Sequence, residues 1–178
     1  LPAFLAQHGI RNVAAPIETV DGAYVAHSGE LSLRLQPFIA GRRGIDGGLP
    51  AQAWMQFGAF LRRLHDLDLP PDLSSLLRRE TFESRRWGRV AELNELVTHS
   101  TPPDAIAAEL FSFWRGERDT VAAILRRTEV LRVQVRQTEH PLVLCHADVH
   151  TANTLLTDDG RLYVIDWDDA LLAPRERD

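Results

Sequence analysis

Apolar positions recur along this chain in two rhythms, one helical and one alternating, and Gly, Pro and Asp-Gly mark where the rhythm changes. Leu1, Leu5 and His8 share one side of a short helical segment that Gly9 stops. Two short runs, 17–20 and 23–27, flank Asp21-Gly22 and predict a hairpin. Ser28-Gly29-Glu30 then turns the chain into Leu31, Leu33 and Leu35, which alternate with Ser32, Arg34 and Gln36 as a half-buried strand would. Pro50 is placed to open a helix. Trp54, Phe57, Leu61, Leu64 and Leu67 give it one apolar face through Asp68, before Pro70-Pro71 stops it. His65 near its end reads as a packed or capping side chain rather than a ligand. Residues 72–100 are polar, with broken helical periodicity. Thr101-Pro102-Pro103-Asp104 predicts a helix start, followed by a stripe of Ile106, Leu110, Phe113 and Trp114 that Gly116 interrupts. Val121, Leu125, Thr128 and Leu131 mark a further helix to about Gln137, and His140-Pro141 ends it. Two apolar runs of strand length, 142–145 and 162–165, follow. Asp158-Asp159-Gly160 predicts a hairpin turn just before the second.

Chemistry concentrates at that hairpin. Its open end brings Asn153 and Asp166 together, and Asp148 sits on the loop feeding its first strand. Such hard oxygen ligands suit Mg²⁺, which takes few groups from protein and the rest from phosphate and water. A third carboxylate beside the metal can accept or orient a hydroxyl proton, which is most of what phosphoryl transfer asks of this half of a site. The spacing His146-x-Asp148-x-x-x-x-Asn153, followed by a strand running into Asp166, matches the kinase pattern H-R-D-x-x-x-x-N and D-F-G. Taken singly, Asp148 and Asn153 also fit turn residues and Asp166 a strand terminus. A rival uses His146, Asp148 and His150 at i, i+2, i+4 as zinc ligands of a metal-dependent hydrolase, and leaves Asn153 and Asp166 idle. Arg85, Arg86 and Trp87 read as a solvated helix face before a phosphate site.

Composition narrows the class. With 178 residues, 44% hydrophobic and 25% charged, the chain suits one soluble domain or two small lobes. The single cysteine, Cys145, lies in an apolar run and reads as a buried, reduced thiol. No run reaches transmembrane length and residues 1–10 lack a basic leader, so the cytoplasm is the expected compartment. A net charge of −5 argues against nucleic acid as the main partner and is compatible with a cationic one. All 20 basic residues are arginine; the chain has no lysine. Nor has it a Gly-rich phosphate loop, since Gly41-Arg42-Arg43-Gly44 and Gly47-Gly48 have the wrong spacing.

From His146-Ala147-Asp148 through Asn153, together with Val164-Ile165-Asp166-Trp167-Asp168, the chain resembles the aminoglycoside phosphotransferase and choline kinase-like family. Its tail, Ala173-Pro174-Arg175-Glu176-Arg177-Asp178, is similar to the spectinomycin phosphotransferase branch. The resemblance implies an α+β, protein kinase-like two-lobe fold, here truncated: residues 1–40 as a remnant of the small lobe, residues 41–178 as a large lobe cut at its C-terminus. It implies transfer of the ATP or GTP γ-phosphoryl group to a hydroxyl of a cationic small molecule of the aminoglycoside-antibiotic kind. Choline-like, amino-acid and sugar hydroxyls stay open, and no nucleic acid or membrane is involved. Asp148 would be the catalytic carboxylate; Asn153, Asp166 and Asp168 would hold Mg²⁺. Gln36, Pro37 and Ile39 would form the hinge, with the Pro37 carbonyl accepting from adenine and the Ile39 N–H donating to it. Proline can fill the first role and not the second. On residues alone, an ordinary edge-strand exit fits this stretch equally well. His146 would bond backbone near Asp166, and His150 would prop the loop or face solvent. The family's phosphate-binding lysine has no counterpart here, which places it, the Gly-rich loop and a helix Glu before Leu1 and makes the chain alone inactive. The remaining alternative is a non-catalytic, kinase-derived nucleotide-binding module.

Overall fold

The structure, a computed structural model, describes residues 1–83 and 86–178, with the side chains of residues 86 and 87 set aside. Of the Arg85, Arg86 and Trp87 trio, Arg85 and the side chains of the other two lie outside the described residues. In chain order the elements are α1 (Pro2–Gln7), β1 (Ala26–Ser28), β2 (Leu31–Leu33), β3 (Arg42–Arg43), α2 (Ala51–His65), α3 (Pro71–Leu76), β4 (Arg78–Arg79) and α4 (Arg86–His99). Then come α5 (Ala105–Gly116), α6 (Arg118–Arg136), β5 (Val143–Cys145), β6 (Thr154–Leu156), β7 (Leu162–Val164) and β8 (Leu171–Ala173). The mixed helix and sheet content is the α+β class expected. No helix among the described residues is long and apolar enough to cross a membrane.

Two compact units share the chain: residues 1–79 with 141–178, and residues 80–140. The first holds three small sheets, β1-β2, β3-β6-β7 and β4-β8-β5. Its core gathers Leu5 from α1, Ile10 and Val13 from the segment after it, Phe60 and Leu64 from α2, Leu144 from β5 and Val164 from β7. Gly9, at φ +84°, ends α1 and lets the chain run on beside β7. There Asn12 O accepts from Val164 N at 2.9 Å, and Asn12 Nδ2 donates to Leu162 O at 2.6 Å. The hairpin predicted around Asp158-Asp159-Gly160 forms with Thr154 opposite Val164 and Leu156 opposite Leu162. Gly160 sits at φ +78°, where a Cβ is penalised.

In the second unit α4, α5 and α6 pack in sequence, burying Val97 and Phe111. Asp104 caps α5 as its position suggested, accepting from Ala107 N at 2.8 Å. Trp114 Nε1 reaches Asn94 Oδ1 at 3.2 Å, and an Arg115 guanidinium N–H donates to Val97 O at 2.8 Å, tying α5 to α4.

Four local expectations are corrected. Asp21-Gly22 does turn the chain, with Thr19 N donating to Ala23 O at 2.7 Å, yet no ladder forms on its flanks. The ladder lies one turn later, between β1 and β2 across Gly29 at φ +59°. Leu31, Leu33 and Leu35 are exposed rather than half-buried, because among the described residues this two-stranded ribbon has no layer over its faces. Helix α2 ends at His65, and its inward arc runs through Ala53, Phe57, Phe60 and Leu64. Trp54, 49% exposed, falls outside that arc because β5 and β7 meet the neighbouring face. On α5 the buried residue is Phe111, whereas Ile106, Leu110 and Phe113 of the predicted stripe face outward.

Candidate active site

Strand β5 delivers the chain into the loop from His146 to Asn153, and β7, in a different sheet, delivers it into the turn from Ile165 to Asp168; the two strand ends meet through His146 and Ile165. His146 is fully buried. Its Nε2 donates to Ile165 O at 2.9 Å, its Nδ1 accepts from Asp148 N at 3.4 Å, and its ring lies 4.6 Å from that of Trp167. Both ring nitrogens are therefore engaged in holding the loop against the turn after β7. This is the structural role expected of His146, and it leaves no lone pair for the rival zinc site. His150 is exposed, accepts from Ala152 N at 3.2 Å through Nδ1, and places Nε2 3.5 Å from Asp148 Oδ2.

Asp148 and Asn153 meet directly. Asn153 Nδ2 donates to Asp148 O and to Asp148 Oδ2, both at 3.0 Å. Asn153 is buried, while the Asp148 side chain stays 47% exposed and accessible to a substrate. The hairpin then joins Asn153 to the next segment, since Ile165 N donates to Asn153 O at 3.0 Å. Asp166 follows at φ +66°, and Ala147 precedes Asp148 at φ +69°. Left-handed backbone in residues with a Cβ persists only where surroundings over-determine it, and it clusters at working sites.

Asp166, Trp167 and Asp168 line a cavity of about 760 Å³ together with Gln36, Pro37, Phe38 and Ile39. Residues 36–39 and the turn after β7 thus face one volume. Asp148 and Asn153 are not part of its lining and connect to it through the Asn153–Ile165 bond. The Gln36 side chain donates to Ala14 O at 3.0 Å, a bond within the lining of the same cavity.

As a donor set the residues suit a hard divalent cation. The Asn153 amide spends its N–H groups on Asp148, which turns its carbonyl oxygen away from that residue, and Asp166 and Asp168 add carboxylates at the cavity wall. Asp148, Asp166 and Asp168 do not cluster tightly by themselves. Among the described residues the one close grouping of three metal-capable side chains is His65, Cys145 and Asp178.

That grouping contains what the sequence did not reveal. Asp178, its side chain fully buried, accepts from His146 N at 3.0 Å, from Ala147 N at 2.7 Å and from His65 Nε2 at 3.0 Å. No local spacing signals a contact between residues 113 positions apart. Beside it, burial first and the Asp178 charge second push the Cys145 thiol from 9.0 up to about 12. The thiol sits against Ala173 O and Pro174 O as a donor.

A buried histidine bracing an Asp-to-Asn loop against an Asp-bearing turn, which shares a cavity with residues 36–39, is the arrangement of a kinase-like fold. The sequence model of the phosphotransferase enzyme family, APH, matches residues 3–178, and the chain belongs to that family. It is similar to the crystal structure of spectinomycin phosphotransferase, APH(9)-Ia, in complex with ADP and spectinomycin. That likeness has 29% identity and a TM-score of 0.83, over 98% of this chain and 53% of that one. The AMP-bound complex of the same protein gives 29% identity and a TM-score of 0.82, covering 98% and 55%. An aminoglycoside phosphotransferase from Alicyclobacillus acidocaldarius subsp. acidocaldarius DSM 446 shares the fold at 22% identity and a TM-score of 0.55, covering 95% and 51%. The chain spans about half the length of the solved structures it matches.

Proposed function

We propose that this chain supplies the catalytic loop and metal-binding turn of a small-molecule O-phosphotransferase, which moves the γ-phosphoryl group of ATP or GTP to a hydroxyl on an aminoglycoside-type acceptor. The observation that carries it is the Asp148–Asn153 pair, bonded to itself and joined through Ile165 to an Asp166 that faces the hinge across a cavity. The likeness to a spectinomycin phosphotransferase with ADP and spectinomycin bound supports both the nucleotide and the kind of acceptor.

The roles follow from position. Asp148, exposed beside the Asn153 amide, accepts or orients the proton of the attacking hydroxyl. Asn153 and Asp166 would hold Mg²⁺, with Asp168 as a further ligand. When bound, the metal neutralises charge on the β- and γ-phosphates. The Pro37 carbonyl and the Ile39 N–H hold adenine, which puts the small lobe within residues 1–40 and the large lobe within 41–178. The acidic carboxylates around the loop favour a cationic acceptor.

Because the chain has no lysine, nothing in it supplies the ammonium that a kinase-like site sets on the nucleotide phosphates. The 178-residue chain alone is therefore expected to bind Mg·ADP and to transfer no phosphoryl group. Calorimetric titration with Mg·ADP tests the first part: Asp166→Asn should abolish the Mg²⁺-dependent share of binding, and Asp148→Ala should leave it unchanged. A wild-type chain without Mg²⁺-dependent nucleotide binding would overturn the proposed function. Robust transfer of labelled phosphate by the chain alone, lost in Asp148→Ala, would overturn the lysine argument only.

A further inference from the structure

We infer that His150 is a positioning residue for Asp148: its imidazole, held in one tautomer by the turn it caps, aims an N–H at Asp148 Oδ2 and leaves Oδ1 to meet the acceptor hydroxyl. The inference rests on the function proposed above and deepens it, naming which oxygen of Asp148 faces the acceptor and a second side chain that sets it.

A single turn of 3₁₀ helix, Thr151–Asn153, joins the loop to β6, and His150 is its N-cap at φ −151°. Asn153 N donates to His150 O at 2.9 Å, and the hydroxyl of buried Thr154 donates to Thr151 O at 2.8 Å, so the turn is fixed at both ends. Within it, Ala152 N donates to His150 Nδ1 at 3.2 Å. A ring nitrogen that accepts carries no proton, and a neutral imidazole then keeps its proton on the other nitrogen. That nitrogen, Nε2, lies 3.5 Å from Asp148 Oδ2. The backbone of the turn therefore decides which way the ring presents its donor.

Capping alone does not account for a histidine here. Asn, Asp, Ser and Thr are the preferred caps, and each is shorter. Any of them could satisfy Ala152 N and would end there. Imidazole does the same with Nδ1 and carries a second nitrogen on to the carboxylate.

One oxygen of Asp148 is thereby approached from two side chains. Asn153, buried, donates to Oδ2 at 3.0 Å, and the half-exposed His150 ring faces the same oxygen. The main chain of Asp148 is held separately, its N donating to His146 Nδ1 and its O accepting from Asn153 Nδ2. Among the described residues no N–H is donated to Asp148 Oδ1. The terminal torsion of a carboxylate is broad and two-fold, so its oxygens exchange places unless donors single one out. Two donors on Oδ2 do so, and Oδ1 keeps its lone pairs for the hydroxyl. An exposed contact of this length adds little to folding, so the role shows in orientation and not in stability.

The test uses the ¹³C,¹⁵N-labelled 178-residue chain at about pH 8, where a free imidazole is neutral. Long-range ¹H–¹⁵N correlation of the His150 ring should find the proton on Nε2. Two variants then separate the two nitrogens, because an Asn amide reaches only where Nδ1 stands and a Gln amide reaches where Nε2 stands. His150→Asn should keep Ala152 amide exchange within about twofold while the Asp148 carboxylate carbon and the Asn153 side-chain amide shift. His150→Gln should return those two signals toward wild type and raise Ala152 exchange severalfold. A proton on Nδ1 overturns the inference, as does a His150→Asn variant in which the Asp148 and Asn153 signals stay put. Identical responses of every signal to both variants also overturn it, marking a ring that only supports the loop. None of these readings needs nucleotide or turnover, so a chain that fails to bind Mg·ADP overturns the proposed function and leaves them untouched. In any form of the protein with measurable turnover, His150→Asn should lower kcat about threefold or more while the nucleotide KM stays within about twofold, and His150→Gln should recover part of the loss. A change confined to KM overturns the positioning role.

Discussion

At the scale of single residues, Cys145 shows how surroundings set chemistry. A free thiol titrates near 9.0, but here burial and the neighbouring Asp178 carboxylate push it to about 12. The folded value lies above the unfolded one, so the neutral thiol's contribution is complete below about pH 9 and is lost as pH climbs toward 12. Relative to Cys145→Ala, the wild-type chain should lose about 1.4 kcal/mol of unfolding free energy for each pH unit in that window. Denaturant titrations of both proteins at pH 8, 10 and 11 check this. Curves that stay parallel would show that the thiol does not couple to folding. Asp148 and Asn153 are the opposite case, since their spacing alone announced them and their bond at 3.0 Å is what that spacing allows over one short loop.

At the scale of elements, the hairpin β6–β7 carries Asn153 and Asp166 at its open end and is held by distant side chains, Asn12 at Leu162 O and Gln56 at the turn. Gln56 of α2 donates through Nε2 to Gly160 O at 2.8 Å and accepts from Leu162 N at 3.1 Å through Oε1, clamping the turn from both sides. Gln56→Leu should destabilise the chain by about 1–2 kcal/mol, two modest hydrogen bonds with part of the surface rehydrated. Urea unfolding measures that change, and a shift under a few tenths of a kcal/mol would mean water replaces both bonds. The hairpin itself was legible because Asp158-Asp159-Gly160 and two apolar runs are a local signal. The face of α2 was less so. Periodicity identifies an apolar arc but not which of two overlapping arcs meets β5 and β7, and the structure chose Phe60 over Trp54. The β1–β2 ribbon was misplaced for a similar reason: Asp21-Gly22 and Ser28-Gly29 both turn the chain, and the ladder formed only at the second.

At the scale of the molecule, the helical unit of residues 80–140 buries little of its apolar content. Ile106 is 81% and Phe113 65% exposed, with Leu110 beside them on one face of α5. A face of this kind promotes dye binding and self-association. Ile106→Ser with Phe113→Ser should lower ANS fluorescence severalfold and leave the melting temperature within about 2 °C, since surface positions contribute little to folding. A large drop in melting temperature would place these side chains in the folding core after all. The start of α5 and its break from α6 were readable from Asp104 and Gly116, whereas α4 lay in a stretch whose helical periodicity was broken. The outward turn of the stripe was not readable, because burial depends on neighbours that no window of sequence contains.

What the chain's order of residues determined by itself is everything set within a turn or two: helix starts at Pro50 and Asp104, stops at Gly9 and Gly116, the Gly160 hairpin, and the spacing of His146, Asp148 and Asn153. Backbone conformational preferences and short-range hydrogen bonds act over just such distances. Only the tertiary structure decided that His65 and Asp178, 113 positions apart, meet behind the loop that carries Asp148. It alone decided that Ala147 and Asp166 take left-handed backbones. Those outcomes come from packing a buried carboxylate against the amides it must satisfy, a constraint that exists only once the chain has closed on itself.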